Sequence, residues 1–206
     1  MESEEVIIRL GKSTYTVDAV FRFFNTGDTV TEWVGFPKRG KGYDDSFFFE
    51  SFPDFIRFET WVDGKKTTFS EDRHLTETSV RREGGGLVNF VTDSRWLMKH
   101  VVFPGHQATT TRVTYEAPYF GADSAASYIY GTGTYWKGSI GRATFTIDAS
   151  ELGKKVPLRT EFFHSYAVAN VIRTTILADS VMTYEILDFN PLPDGELRVC
   201  PFPEGP

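Results

Sequence analysis

The stretch Gly131-Thr-Gly133-Thr-Tyr135-Trp136-Lys-Gly138 carries the residues of this chain best suited to holding a ligand. Two flat rings framed by glycines can stack on the apolar face of a sugar, because an aromatic side chain offers a large contact area and, for Tyr and Trp, one polar handle. The spacing is not a nucleotide fingerprint. Gly131-x-Gly133 lacks the third glycine of a dinucleotide loop and runs into Tyr135 and Trp136 rather than into helix formers. The structural alternative is a glycine-relieved bend whose tryptophan plugs a sandwich core. A second candidate ligand site is Tyr43, Asp44 and Asp45, in the polar, Gly-punctuated loop 38–46. Adjacent acids beside Ser46 suit a calcium ion, but no EF-hand pattern surrounds them, and acids in loops are ordinarily solvated.

Catalytic patterns fail one by one. Gly11-Lys12-Ser13-Thr14 ends like a phosphate-binding loop, yet the glycine that motif needs upstream is Val6. His74, His100, His106 and His164 sit in no metal-ligand spacing. There is no Gly-x-Ser-x-Gly elbow, and the single cysteine, Cys200, excludes both an internal disulfide and a cysteine-based zinc or iron–sulfur site. Glu50, Asp54 and Glu59 join the loop acids as carboxylates of the kind a glycosidase pairs, but that mechanism depends on a separation in space. No catalytic residue, cofactor or metal site is assigned.

The charge balance narrows the partners. With 22 basic against 28 acidic residues the chain is at −6, and no run of Lys and Arg forms a stripe that could displace counterions from a phosphate backbone. Nucleic acid is excluded as a partner; a protein or a glycan is not. No apolar run reaches the ~20 residues of a membrane-spanning helix. Met1-Glu-Ser-Glu-Glu5 is the wrong charge for the start of a signal peptide.

The elements that must position these residues are strands. Nineteen Phe, nine Tyr and four Trp favour pleated, half-buried surfaces over helices. Val17, Ala19, Phe21 and Phe23 alternate with Asp18, Val20, Arg22 and Phe24, giving one apolar face. Asn25-Thr-Gly-Asp28 then predicts a turn back into Val30–Phe36. Asp63-Gly64 predicts the tightest hairpin, with Lys65 to Phe69 returning. Trp96–Phe103 and Thr109–Tyr115 read as a second hairpin joined at Pro104-Gly105-His106. Ile140–Ile147, Val171–Leu177, Val181–Phe189 and Leu197–Cys200 complete the strand pattern, and 160–170 fits helix or strand.

Several blocks resemble an uncharacterised family of bacterial secreted domains of unknown function. They are FRFFNTGDTVTEWVGFP (21–37), FETWVDGK (58–65), WLMKHVVFPGHQATTTRVTY (96–115), YIYGTGTYWKGSIGRATFTID (128–148) and YEILDFNPLPDGELRV (184–199). The resemblance implies a β-sandwich exported to the cell envelope, and supplies no catalytic residues.

The expectation is therefore an all-β, antiparallel β-sandwich with little helix. Residues 1–70 form an N-terminal β lobe, 71–94 an excursion or connecting segment and 95–206 a C-terminal β lobe, with one continuous domain as the alternative. The functional expectation is a non-catalytic interaction module outside the cytoplasm. A carbohydrate-binding or carbohydrate-active domain, or a structural domain of a larger protein, are the alternatives.

Overall fold

The computed structural model describes residues 1–38, 54–81, 87–120, 124–155, 158–163, 172–192 and 195–201. Strand accounts for 68% of the chain and helix for 4%, so the fold is all-β as the alternation of residues predicts. In chain order the strands are β1 (Ser3–Leu10), β2 (Thr14–Phe24), β3 (Val30–Lys38), β4 (Arg57–Val62), β5 (Lys65–Thr67), β6 (Ser70–Arg81) and β7 (Leu87–Phe103). Then come β8 (Ala108–Pro118), β9 (Ala126–Ile129), β10 (Ile140–Asp148), β11 (Arg159–Phe163), β12 (Ile172–Ala178), β13 (Val181–Phe189) and β14 (Glu196–Cys200). Short 3-10 turns occupy Gly131–Tyr135 and Ser150–Leu152.

Three sheets result. The largest has the order β12-β13-β10-β1-β2-β8-β4-β5, and the two smaller ones are β11-β14-β9 and β3-β7-β6. One pairing departs from the antiparallel expectation: β1 runs parallel to β10. A parallel pair needs a long crossover, here the whole stretch from β2 to β9. The large sheet takes β1, β2, β4 and β5 from residues before 71, and β8, β10, β12 and β13 from residues after 94. The large sheet is thus shared between 1–70 and 95–206, while the β11-β14-β9 sheet lies wholly within 95–206. Within segment 71–94 the described residues, 71–81 and 87–94, are strand: they belong to β6 and the first part of β7, paired antiparallel from Ser70↔Met98 to Arg81↔Leu87.

Alternation decides what is buried. Val6, Ile8 and Leu10 of β1, Tyr15, Val17 and Ala19 of β2, and Ala143, Phe145 and Ile147 of β10 form one apolar face. Against it pack Tyr128 of β9 and Leu197 and Val199 of β14. The hydroxyls of Tyr15 and Tyr115 both donate to the Ser127 carbonyl, at 3.2 and 2.9 Å, tying β2 and β8 to β9.

Two acids are buried among the described residues, Glu196 of β14 and Glu4 of β1. Glu4 precedes Val6 in the inward register and is fully buried. Its Oε1 accepts a 2.5 Å hydrogen bond from the Tyr128 hydroxyl, while Oε2 has no partner among the described residues. Burial pushes its carboxyl up to about 7, and the Tyr128 hydrogen bond pulls the other way.

Two expected hairpins are corners between layers instead. β2 leads through residues 25–29 not into a paired neighbour but into β3 of a smaller sheet, and β7 leads through 104–107 into β8 of the large one. Asn25 pins both corners, its Nδ2 donating to the carbonyls of Asp28 at 2.7 Å and Phe103 at 2.9 Å. Gly105 is needed there, because a Cβ would stand 2.9 Å from the Gly27 carbonyl oxygen. The Asp63-Gly64 hairpin forms as predicted between β4 and β5, with φ of 47° and 75° at its two central residues.

Candidate functional site

The corners have a consequence for the site: they turn β3 and β7 over so that they face β2, β8 and β4 across a gap. Glu32, Val34 and Phe36 of β3 and Leu97 and Lys99 of β7 line one wall, and Phe21, Phe23, Phe58, Thr60, Thr111 and Val113 line the other. The cavity between them measures about 570 Å³ and its lining also includes Trp33, Trp96, Asp72 and Trp136. That volume falls in the range of sites that hold small molecules, as does a mostly apolar wall with few polar groups.

Trp136 closes one end. The 3-10 turn Gly131–Tyr135 stops at it, and its N–H donates to the Gly133 carbonyl at 3.3 Å. Its ring lies 4.3 Å from Phe23 and 6.0 Å from Phe103, centroid to centroid, so it packs on the core and borders the cavity at once. Gly133 permits this arrangement, since a Cβ would meet Ile140 Cδ1 at 2.7 Å and Pro191 Cγ at 2.9 Å. Gly133→Ala is expected to cost about 1–3 kcal/mol by overpacking, read as a lower urea midpoint with unchanged slope; unaltered stability would show that the turn does not set the position of Trp136.

Lys99 is the polar group that sequence reading passed over. It is 5% exposed and reaches across the gap, where Nζ donates to Thr60 Oγ1 and, at 3.1 Å, to the Trp61 carbonyl. Both acceptors are neutral. Among the described residues it has no ion pair, and burial pulls its amine down to about 8. The Thr60 hydroxyl in turn donates to the Arg112 carbonyl at 3.1 Å. The signal was present in β7, where Lys99 interrupts the inward series Leu97, Val101 and Phe103.

Of the other candidates, Tyr135 ends the 3-10 turn, with its side chain outside the described residues. Tyr43, Asp44 and Asp45 also lie outside them. His100 pairs across strands with Trp33, ring centroids 3.5 Å apart, on the face of β7 turned away from Lys99. Trp33 is 56% exposed, and Glu32 and Asp72 are exposed at the rim of the cavity. Among the described residues no helix is long and apolar enough to cross a membrane.

No family model matches the chain, and no curated protein is similar to it. Its fold is similar to solved structures, among them the crystal structure of a "putative nutrient binding protein" from Legionella pneumophila, with a TM-score of 0.61 and 15% identity. That likeness covers 96% of this chain and 65% of the other, so the chain spans about two thirds of the neighbour's length. At such identity the shared property is the fold.

Proposed function

We propose that this protein is a non-catalytic binding module that takes a small, largely apolar ligand between the large sheet and the β3-β7-β6 sheet. The observation that carries the reading is the cavity of about 570 Å³ walled by Phe21, Phe23, Phe58, Trp96 and Trp136. Apolar walls of this kind gain most by removing apolar ligand surface from water, at roughly 25 cal/mol per Å². The description of the Legionella protein as nutrient binding is in keeping with a ligand-holding role, and with a location outside the cytoplasm.

The test is a titration with phenylnaphthylamine, a neutral fluorophore that brightens in apolar surroundings. One saturable site per chain is expected. Val34→Trp, which fills the gap from a half-buried wall position, is expected to weaken that site at least about tenfold, a loss of about 1.4 kcal/mol. No saturable binding, or binding indifferent to Val34→Trp, would overturn the reading.

A second reading is a saccharide, favoured by Trp33 and Trp96 standing with Glu32 and Asp72 on the same cavity. Binding on a glycan panel, abolished by Trp33→Ala, would replace the first reading with this one. Whether the module works alone or within a longer protein would be read from the full-length gene.

A further inference from the structure

The cavity wall is mostly apolar, and the buried cation that enters it, Lys99, carries chemical information about the ligand. Among the described lining residues Lys99 is the sole Lys or Arg. It is nearly fully buried, it spends two N–H donors on a neutral hydroxyl and a neutral carbonyl, and the third has no partner among the described residues. A buried ammonium without a counter-ion is unfavourable, and proteins ordinarily pair or neutralise such a group. Among the described residues of this cavity's wall none is in hydrogen-bond or ion-pair contact with Lys99 beyond those two neutral acceptors.

We infer that Lys99 anchors the carboxylate of an apolar monocarboxylic acid, whose body lies against Phe21, Phe23, Phe58 and Trp136. This rests on the binding reading above and adds the ligand's charged group to it. A carboxylate supplies what the empty site lacks: one negative charge and an acceptor for the remaining N–H, in a charge-assisted hydrogen bond. Thr111 lies diagonally from Thr60 across the β4–β8 pair and also lines the cavity, so its hydroxyl is placed to donate to the second carboxylate oxygen.

The same geometry argues against other head groups. A phosphate monoester would bring about two charges to a single cation, whereas Arg clusters or several donors ordinarily hold it. Glu32 and Asp72 at the rim would repel a second negative charge further. A wholly neutral ligand would bury the ammonium more deeply without pairing it. The depressed amine titration noted above fits an unpaired site awaiting a partner, and perturbed groups of this kind concentrate where proteins bind or react.

The experiment uses parinaric acid, a fluorescent polyunsaturated fatty acid, and its methyl ester, on the full chain. The acid is expected to bind about ten- to a hundredfold more tightly than the ester, the range for a hydrogen bond to a charged group. Lys99→Met, which keeps the unbranched stem, is expected to abolish the preference for the acid over the ester, weakening the acid without weakening the ester. Equal binding of acid and ester by the unaltered protein would overturn the anchor while leaving the cavity reading standing, and needs no variant that might fold poorly. Equal weakening of both by Lys99→Met would also overturn it, making Lys99 a strap between the sheets. Binding of neither would overturn the anchor and the cavity reading together.

Discussion

Glu4→Gln is expected to stabilise the folded chain by about 3 kcal/mol at pH 8 and by almost nothing at pH 4. The carboxyl titrates near 7 in the fold against 4.5 as its ordinary value, and each unit of difference is worth about 1.36 kcal/mol. The sign follows from proton counting. Between pH 4.5 and 7 the unfolded chain releases a proton that the folded chain retains, so stability falls as pH rises through that window and levels off above it. Glutamine resembles the protonated acid: its amide oxygen accepts from Tyr128 as Oε1 does, and its NH₂ takes the place of a protonated Oε2. Urea unfolding at several pH values between 4 and 9 measures the effect. A variant whose stability runs parallel to the parent at every pH would show that Glu4 is not the group that titrates.

The opposite dependence is expected from Lys99. Its amine is held near 8 against an ordinary 10.5, so the cost of burying the ammonium is fully present below pH 8 and is relieved as pH rises towards 10.5. The size of that swing is again about 3 kcal/mol. Lys99→Met removes it, but also removes the hydrogen bonds to Thr60 and the Trp61 carbonyl, each worth about 1.5–3 kcal/mol because the donor is charged. The two effects nearly offset at pH 7, where the variant is expected to lie within about 3 kcal/mol of the parent. Its stability is expected to fall relative to the parent by about 3 kcal/mol more as pH rises from 8 to 10.5. A variant that keeps the same distance from the parent between pH 7 and pH 11 would show that Lys99 is not the group that titrates. Between about pH 7 and 8 both penalties act together, so the unliganded protein is expected to be weakest where many proteins are most stable. A lysine whose buried charge costs stability in the empty protein and contributes affinity in the loaded one is the trade expected of a binding residue.

Much of the fold was legible because side-chain alternation is a local property. Tyr15, Val17 and Ala19 had to share a face whatever strand lay beside them, and Asp63-Gly64 had to reverse the chain wherever it was placed. Strand partners were less legible. Trp96–Phe103 and Thr109–Tyr115 have the pattern of two hairpin arms, but a strand pattern says which face is apolar and not which edge is filled. The turn at 104–107 passes between layers because both apolar faces are satisfied by facing each other: Val101 and Phe103 on one side, Val113 on the other.

The site divides in the same way. The glycine-framed Trp136 stood out in the sequence, because glycine beside a large ring marks a close approach of backbone and side chain, and it borders the cavity. Lys99 and Glu4 did not stand out. Each is one charged residue at the rhythm of an apolar face, and only when β4 arrives opposite β7, and β9 opposite β1, does the charge become buried. The sequence by itself determined that this would be a β protein with these inward faces, since alternation and turn chemistry act over a few residues. The tertiary structure alone decided that two faces would stand apart and leave a cavity with a lysine in it, because that gap depends on corners and pairings between residues far apart in the chain.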